Sequence, residues 1–279
     1  PPSSFSVYSR MKSAPRDHPR HVSLLQRLWT RTKRALGILH RETLSNARPS
    51  DTWVVSYPKS GNTWVRFLLT HLLSGGAPLS WEGIDQHVPD IHQGRERIDR
   101  MSGKRFIKSH KALFEEYPNS IYLCRDGRDV MVSYYHFLKG YGEDVGSFSE
   151  FLQDYPKWPG TWSNHVIQAL QARNRDPERV LIVRFEDLKN DPEHELARMA
   201  DYAGIEATDY ELSQAVEACH ISNLKALEEN DRPSTRKEAT NKFFRSGKTK
   251  QWKSVFSEND LKYFYSKSGE ALSRLGYMP

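Results

Sequence analysis

Seven consecutive residues, Tyr57-Pro58-Lys59-Ser60-Gly61-Asn62-Thr63, carry the groups that bind an anion at the start of a helix. The apolar run Trp53-Val54-Val55 ahead of them reads as a buried strand, and an apolar-periodic helix follows from about Trp64 to Leu73. Strand, small-residue loop and helix together aim unpartnered backbone N–H groups at whatever sits in front of the helix, and the helix dipole favours negative charge there. Gly61 lets the backbone come close. Lys59 adds a full positive charge, and Ser60, Asn62 and Thr63 add donors. The spacing is not that of the common nucleotide-binding loop, in which four residues separate a glycine from a Gly-Lys pair. Here Lys59 precedes the glycine and position 56 is Ser, so this is an anion cradle of another kind.

Stepping along the chain, strand and helix patterns alternate from Asp51 onward, which implies an α/β fold with a parallel sheet. Ligands of such sheets sit at the carboxyl ends of the strands. The segment Arg105–His110 reads as a short strand that delivers Lys108 and His110 to that end. The buried run Ser120–Cys124 delivers Arg125, and Ser133 lies eight residues on along the next helix. Arg128 reads as an outward structural charge. Val180–Phe185 is another strand, and Asp191-Pro192 opens a helix, with Pro in the first turn after an N-cap Asp. Trp162–Arg173 and Ser257–Leu275 also read as helices, whereas 74–103 reads as loop-rich. The aromatics Tyr141, Phe148, Phe151, Tyr155, Trp158 and Trp162 suit the wall of an apolar pocket and suit core packing equally. The polar run 229–242 reads as a mobile loop.

Four blocks in this order, YPKSGNTW, FIKSH, YLCRDGRDVMVSYYHF and FFRSGKTKQWKSVF, resemble those of the sulfotransferases that use 3′-phosphoadenosine 5′-phosphosulfate (PAPS), over roughly residues 51–279. The resemblance implies a P-loop-like three-layer fold, a central parallel sheet flanked by helices. It implies transfer of a sulfonate to a hydroxyl, or less often an amine, of a small-molecule acceptor, leaving 3′,5′-adenosine bisphosphate (PAP) and needing no metal; the aromatic-rich stretch 134–162 suits an aromatic or lipid-like acceptor. Lys59, Ser60, Gly61, Asn62, Thr63 and Trp64 would form the 5′-phosphosulfate loop. Arg125, Ser133, Arg245, Ser246 and Gly247 would hold the 3′-phosphate. Phe185 and Ile221 would flank the adenine. His110 would be the general base and Lys108 would steady the sulfonate oxygens. The chain departs from the family pattern at Asn62 and Ser109, where Thr is common, at Ser246, where Lys is usual, and at Phe185, which lacks a tyrosine hydroxyl. The family's dimer motif has no convincing counterpart around Lys253–Glu258, so the oligomeric state stays open.

Charge is unevenly spread over the 279 residues. Residues 1–50 hold ten Lys or Arg against two acidic residues, a net of +8, so the remainder stands at −2 against a total of +6. The basic character belongs to an N-terminal arm, 1–50, and not to a catalytic domain over 51–279, which argues against nucleic acid as the partner. Within the arm, residues 23–41 place leucines and Trp29 on one side at helical spacing and arginines on the other. Two readings stay open: docking on the catalytic body, or peripheral contact with an anionic membrane. No run of 18 apolar residues exists, no signal-peptide core opens the chain, and Cys124 and Cys219 suit buried thiols in a reducing compartment, so the expectation is a cytoplasmic protein. The competing functions are an ATP-dependent kinase, which needs Walker-type glycine spacing and a Mg-binding carboxylate not found here, and a non-catalytic protein binding membranes through its arm.

Overall fold

The computed structural model describes residues 44, 46–154, 159–231 and 243–278. The arm helix expected over 23–41, Tyr155, Trp158 and most of the loop expected over 229–242 lie outside them. Four parallel strands make the sheet, in the order β2-β1-β3-β4: β1 Thr52–Ser56, β2 Phe106–Ser109, β3 Asn119–Cys124 and β4 Val180–Arg184. The register pairs Val55 with Ser109 on one side and with Tyr122 on the other. The strand that follows β1 lies to one side of it and the next lies to the other, so the winding reverses at β1. A crevice opens at the carboxyl end of a strand where this happens.

Strand alternation sorts the core into two layers. Trp53 and Val55 of β1 and Tyr122 of β3 face a layer built from helices α4 (Gly127–Gly140), α5 (Phe148–Asp154), α6 (Trp162–Arg175) and α11 (Glu258–Arg274). Val54, Ile121 and Leu123 face the other, built from α1 (Asn62–Leu73), α2 (Trp81–His87), α7 (Phe185–Asn190), α8 (Pro192–Tyr202), α9 (Asp209–Ala218) and α10 (Ile221–Asn230). A short α3 (Arg95–Arg100) buries Ile98 in the first layer. The three-layer α/β architecture expected from the sequence is the one observed.

Local chemistry sets the helix starts. Asp191 accepts from the His194 amide ahead of Pro192, and capping boxes open α9 (Thr208 with Glu211) and α11 (Ser257 with Asp260). The first helix starts at Asn62, two residues before the expected Trp64. The stretch 74–103 is less loop-rich than expected: Ser80 caps α2 by accepting from the Gly83 amide at 2.9 Å, and α3 follows. Both helices, like α5, are under eight residues, too short to show a periodic apolar stripe. Glu229 and Asn230, expected in a loop, end α10.

Arg105 lies just ahead of β2 and is fully buried, its Nε and Nη2 bonded to both Asp51 carboxylate oxygens at 2.8 and 2.6 Å. Arg128 is not outward. It is buried, chelates Asp126, donates to the Tyr277 carbonyl and stacks 3.9 Å over Trp252. Its aliphatic stem and fork tie α4 to the C-terminal segment. Beyond β2, a chain segment closes the sheet's edge: Lys108 donates its amide to the Pro89 carbonyl at 2.9 Å, and Ile91 donates to the Lys108 carbonyl at 3.0 Å.

Candidate active site

The loop between β1 and α1 takes its shape from two residues that leave the usual backbone region. Gly61 has φ 104° and Lys59 has φ 70°. A Cβ at Gly61 would come within 2.6 Å of the Phe185 ring, so only glycine fits. Lys59 has a side chain in the left-handed region, the kind of strain held at functional sites. Its Nζ lies 4.1 Å over Phe137 and 4.5 Å over Phe243. Ser60 is fully buried, and its Oγ has no hydrogen-bond partner among the described residues. Asn62 turns its amide inward, Nδ2 donating to the Val54 carbonyl and Ser56 Oγ, so it braces the strand behind it. Thr63 is half-buried in the first turn of α1. Trp64 donates to the Cys219 carbonyl at 3.1 Å and meets Phe185 edge-on.

Arg125 follows β3 and crosses to two other parts of the chain. One Nη reaches the Lys59 carbonyl at 3.4 Å, and the other donates to the Lys248 carbonyl at 2.8 Å. Its guanidinium lies 4.4 Å over Phe185, and its buried Nε has no partner among the described residues. Burial lowers its pKa, against the opposing charge of Asp129, which stands 3.8 Å away. Arg245 and Ser246 both donate to Gln251 Oε1, at 2.7 and 3.0 Å. Burial lowers the Arg245 pKa as well, and Asp129 again opposes. Gly247 has φ 59°, and a Cβ there would meet Ile221 at 3.6 Å. Ser133 is half-buried on α4, one turn before the Phe137 that contacts Lys59. Lys59, Arg125 and the 245–248 segment are thus drawn together, although nearly 190 positions separate the first from the last.

The second cluster lies at the ends of β1 and β2. Lys108 Nζ donates to Asp90 Oδ2 at 2.6 Å. His110 Nδ1 bonds the Ser56 carbonyl at 2.8 Å. A carbonyl only accepts, so Nδ1 carries the proton and the lone pair of the neutral ring is on Nε2. Burial, then the Lys108 charge, hold the His110 pKa well below its ordinary value; Asp90 and the Ser56 bond oppose them. Burial pushes the Asp90 carboxyl up, but Lys108 and His110 bring it far below the carboxylate range. Ser109 points to the opposite side, bonded to the Tyr117 hydroxyl at 3.0 Å. Behind His110, His165 on α6 donates from Nε2 to the His110 carbonyl at 3.1 Å and accepts from the Tyr122 hydroxyl at 2.9 Å.

Sequence reasoning missed Asp90, Asp129, His165, Glu228 and Gln251. Glu228 accepts the amides of Phe243 and Phe244 at 2.5 and 3.0 Å and so anchors the chain leading into Arg245. Asp129 was legible as the i+4 partner of Arg125. Nothing in the sequence near Asp90 pointed to Lys108, which lies 18 positions on.

A family model described as the sulfotransferase domain matches residues 49–276. The chain belongs to the sulfotransferase family. Flavonol 3-sulfotransferase of Flaveria bidentis is 27% identical over 283 residues, covering 90% of this chain and 91% of that one. Sulfotransferase 2B1 of Mus musculus is 32% identical over 203 residues, 66% of this chain and 59% of that one. Among solved structures, retinol dehydratase in complex with retinol and PAP superposes with a TM-score of 0.68 at 19% identity, covering 86% of each chain. Mouse sulfotransferase SULT7A1 complexed with PAP gives 0.62 at 22% identity, covering 81% of this chain and 84% of that one. The fold of these structures is the fold of this sulfotransferase.

Proposed function

We propose that this sulfotransferase moves the sulfonate of PAPS onto the hydroxyl of a small apolar or aromatic acceptor, with His110 as general base. The acceptor oxygen attacks sulfur, an S–O bond forms, and the S–O bond to the 5′-phosphate breaks. The acceptor proton passes to His110 Nε2, and the electron pair leaves with PAP. In such a transfer catalysis comes mainly from positioning and charge. The Lys59 ammonium and the amides at the start of α1 receive the charge that develops on the leaving phosphate, with Ser60 and Thr63 in support. Lys108 steadies the sulfonate oxygens.

The donor fits the residues present. The buried Arg125 Nε and Ser60 Oγ lack partners among the described residues, and a doubly phosphorylated nucleotide would supply acceptors to both. Arg125, Arg245, Ser133, Ser246 and Gly247 would hold the 3′-phosphate, which distinguishes PAPS from ATP. Phe185 and Ile221 would flank the adenine. The acceptor class is supported by the aromatic side chains beside Lys59, where Phe137 packs 4.8 Å from Tyr141, and by the names of the relatives, one acting on a flavonol and one seen with retinol. The free, buried thiols of Cys124 and Cys219 favour a cytoplasmic setting. Among the described residues no helix is long and apolar enough to cross a membrane.

The observation that carries the mechanism is the His110 Nδ1 bond to the carbonyl of Ser56, the last residue of β1 before the anion loop. It fixes the ring's tautomer against the same strand that delivers Lys59. The test is His110→Ala. Turnover should fall about 10²- to 10⁴-fold, while PAP, without Mg, should still raise the melting temperature. Normal turnover in that variant would remove His110 as the base.

A further inference from the structure

Asp90 stands outside the blocks that resemble the family, yet its carboxylate is in the transfer site. It lies in a segment paired to the edge of β2, and it is held there by two backbone bonds around Lys108. Its Oδ1 accepts the His92 amide at 3.0 Å, which orients the carboxyl, and its Oδ2 takes Lys108 Nζ at 2.6 Å. The two side chains are 13% and 9% exposed, so their attraction is little screened by water. We propose that Asp90 is a positioning residue for sulfonate transfer, fixing the Lys108 ammonium beside His110 and offsetting its charge at the base. This rests on the reading of Lys108 and His110 given above.

The charge balance around His110 shows why the site needs a carboxylate. Among the described residues, Lys108 from β2, His165 from α6 and Asp90 from the edge segment act on the ring along with the Ser56 carbonyl. Lys108 and His165 disfavour a proton on the imidazole, as does burial. Asp90 favours it. A base must hold the acceptor's proton in the transition state, so an unbalanced Lys108 would weaken it. The same ammonium must stay close enough to reach sulfonate oxygens. One carboxylate meets both needs, since it orients Lys108 and cancels much of its field at His110.

The test compares Asp90→Asn with Asp90→Glu in the full chain, using histidine-labelled protein and NMR, with the His110 signal assigned by its loss in His110→Ala. In Asp90→Asn, His110 should take up its proton at lower pH than in the parent, by about half a pH unit or more, and turnover of PAPS with 2-naphthol should fall about tenfold or more while KM for PAPS moves less than about threefold. Asp90→Glu, which keeps the charge, should hold the parent's titration. An unchanged His110 titration in an Asp90→Asn protein that still gains the parent's thermal shift with PAP would overturn the proposal. Failure of the underlying base assignment looks different: His110→Ala would then turn over normally, whatever the Asp90 variants did to the titration.

Discussion

Arg125 and Lys248, 123 positions apart, meet through a 2.8 Å bond from the guanidinium to the backbone carbonyl. The end of β3 is thereby tied to the segment that carries Arg245 and Gly247. The same guanidinium reaches the Lys59 carbonyl, so one buried fork touches all three parts of the proposed anion site.

Arg125→Ala should therefore weaken PAP binding by about 2–3 kcal/mol, roughly 30- to 150-fold in Kd. Calorimetry with PAP measures it. Arg125→Lys should recover little, because an ammonium cannot span two carbonyls and an anion as a planar fork does. Parent-like affinity in both variants would place the 3′-phosphate elsewhere.

Gly61→Ala should disable the cradle. The backbone there has φ 104°, and the new methyl would lie 2.6 Å from Phe185. The expected cost is about 1–3 kcal/mol of stability, with loss of the melting-temperature rise on adding PAP. The paired change Gly61→Ala with Phe185→Ala relieves the contact but not the dihedral, so it should restore only part of the stability.

Stability should fall with acidity through His165. Burial holds this histidine at a pKa of about 4 in the folded protein, while the unfolded chain protonates it near 6.5. Between those values the unfolded state binds more protons, so stability is complete above about pH 6.5 and is lost as pH falls toward 4, by about 3 kcal/mol in all. Urea midpoints at pH 7 and pH 5 measure the slope. His165→Gln should make it shallower, since an amide takes up no proton across this range, and leave the share that comes from His110, also held below its ordinary value.

The Arg105–Asp51 pair should behave as a structural ion pair. Both side chains are fully buried, so Asp51→Ala leaves an uncompensated guanidinium and should cost about 3–5 kcal/mol. Urea denaturation reports it. Replacing both together, Asp51→Leu with Arg105→Met, should cost much less than the single change.

How far the sequence disclosed this molecule depended on the distance over which each signal acts. The β1–loop–α1 unit was readable because an apolar run, a glycine and a helical stripe are contiguous. Arg125 and His110 were readable because each directly follows a strand. The short helices α2, α3 and α5 were not, since six or seven residues show little periodicity. Arg128 was misread because an arginine at a helix start looks solvated until Asp126, Tyr265 and Trp252 fold around it. Asp90 was invisible because its meaning comes from a strand edge that exists only after folding.

A border strand with bare amides and carbonyls invites another chain to add to it. Here the segment Pro89–Ile91 blocks the outer side of β2 with the same few residues that bring Asp90 to Lys108. Lesions in this segment should therefore do double harm, slowing turnover and exposing a template for self-association, so clumping of the purified protein would accompany the loss of rate.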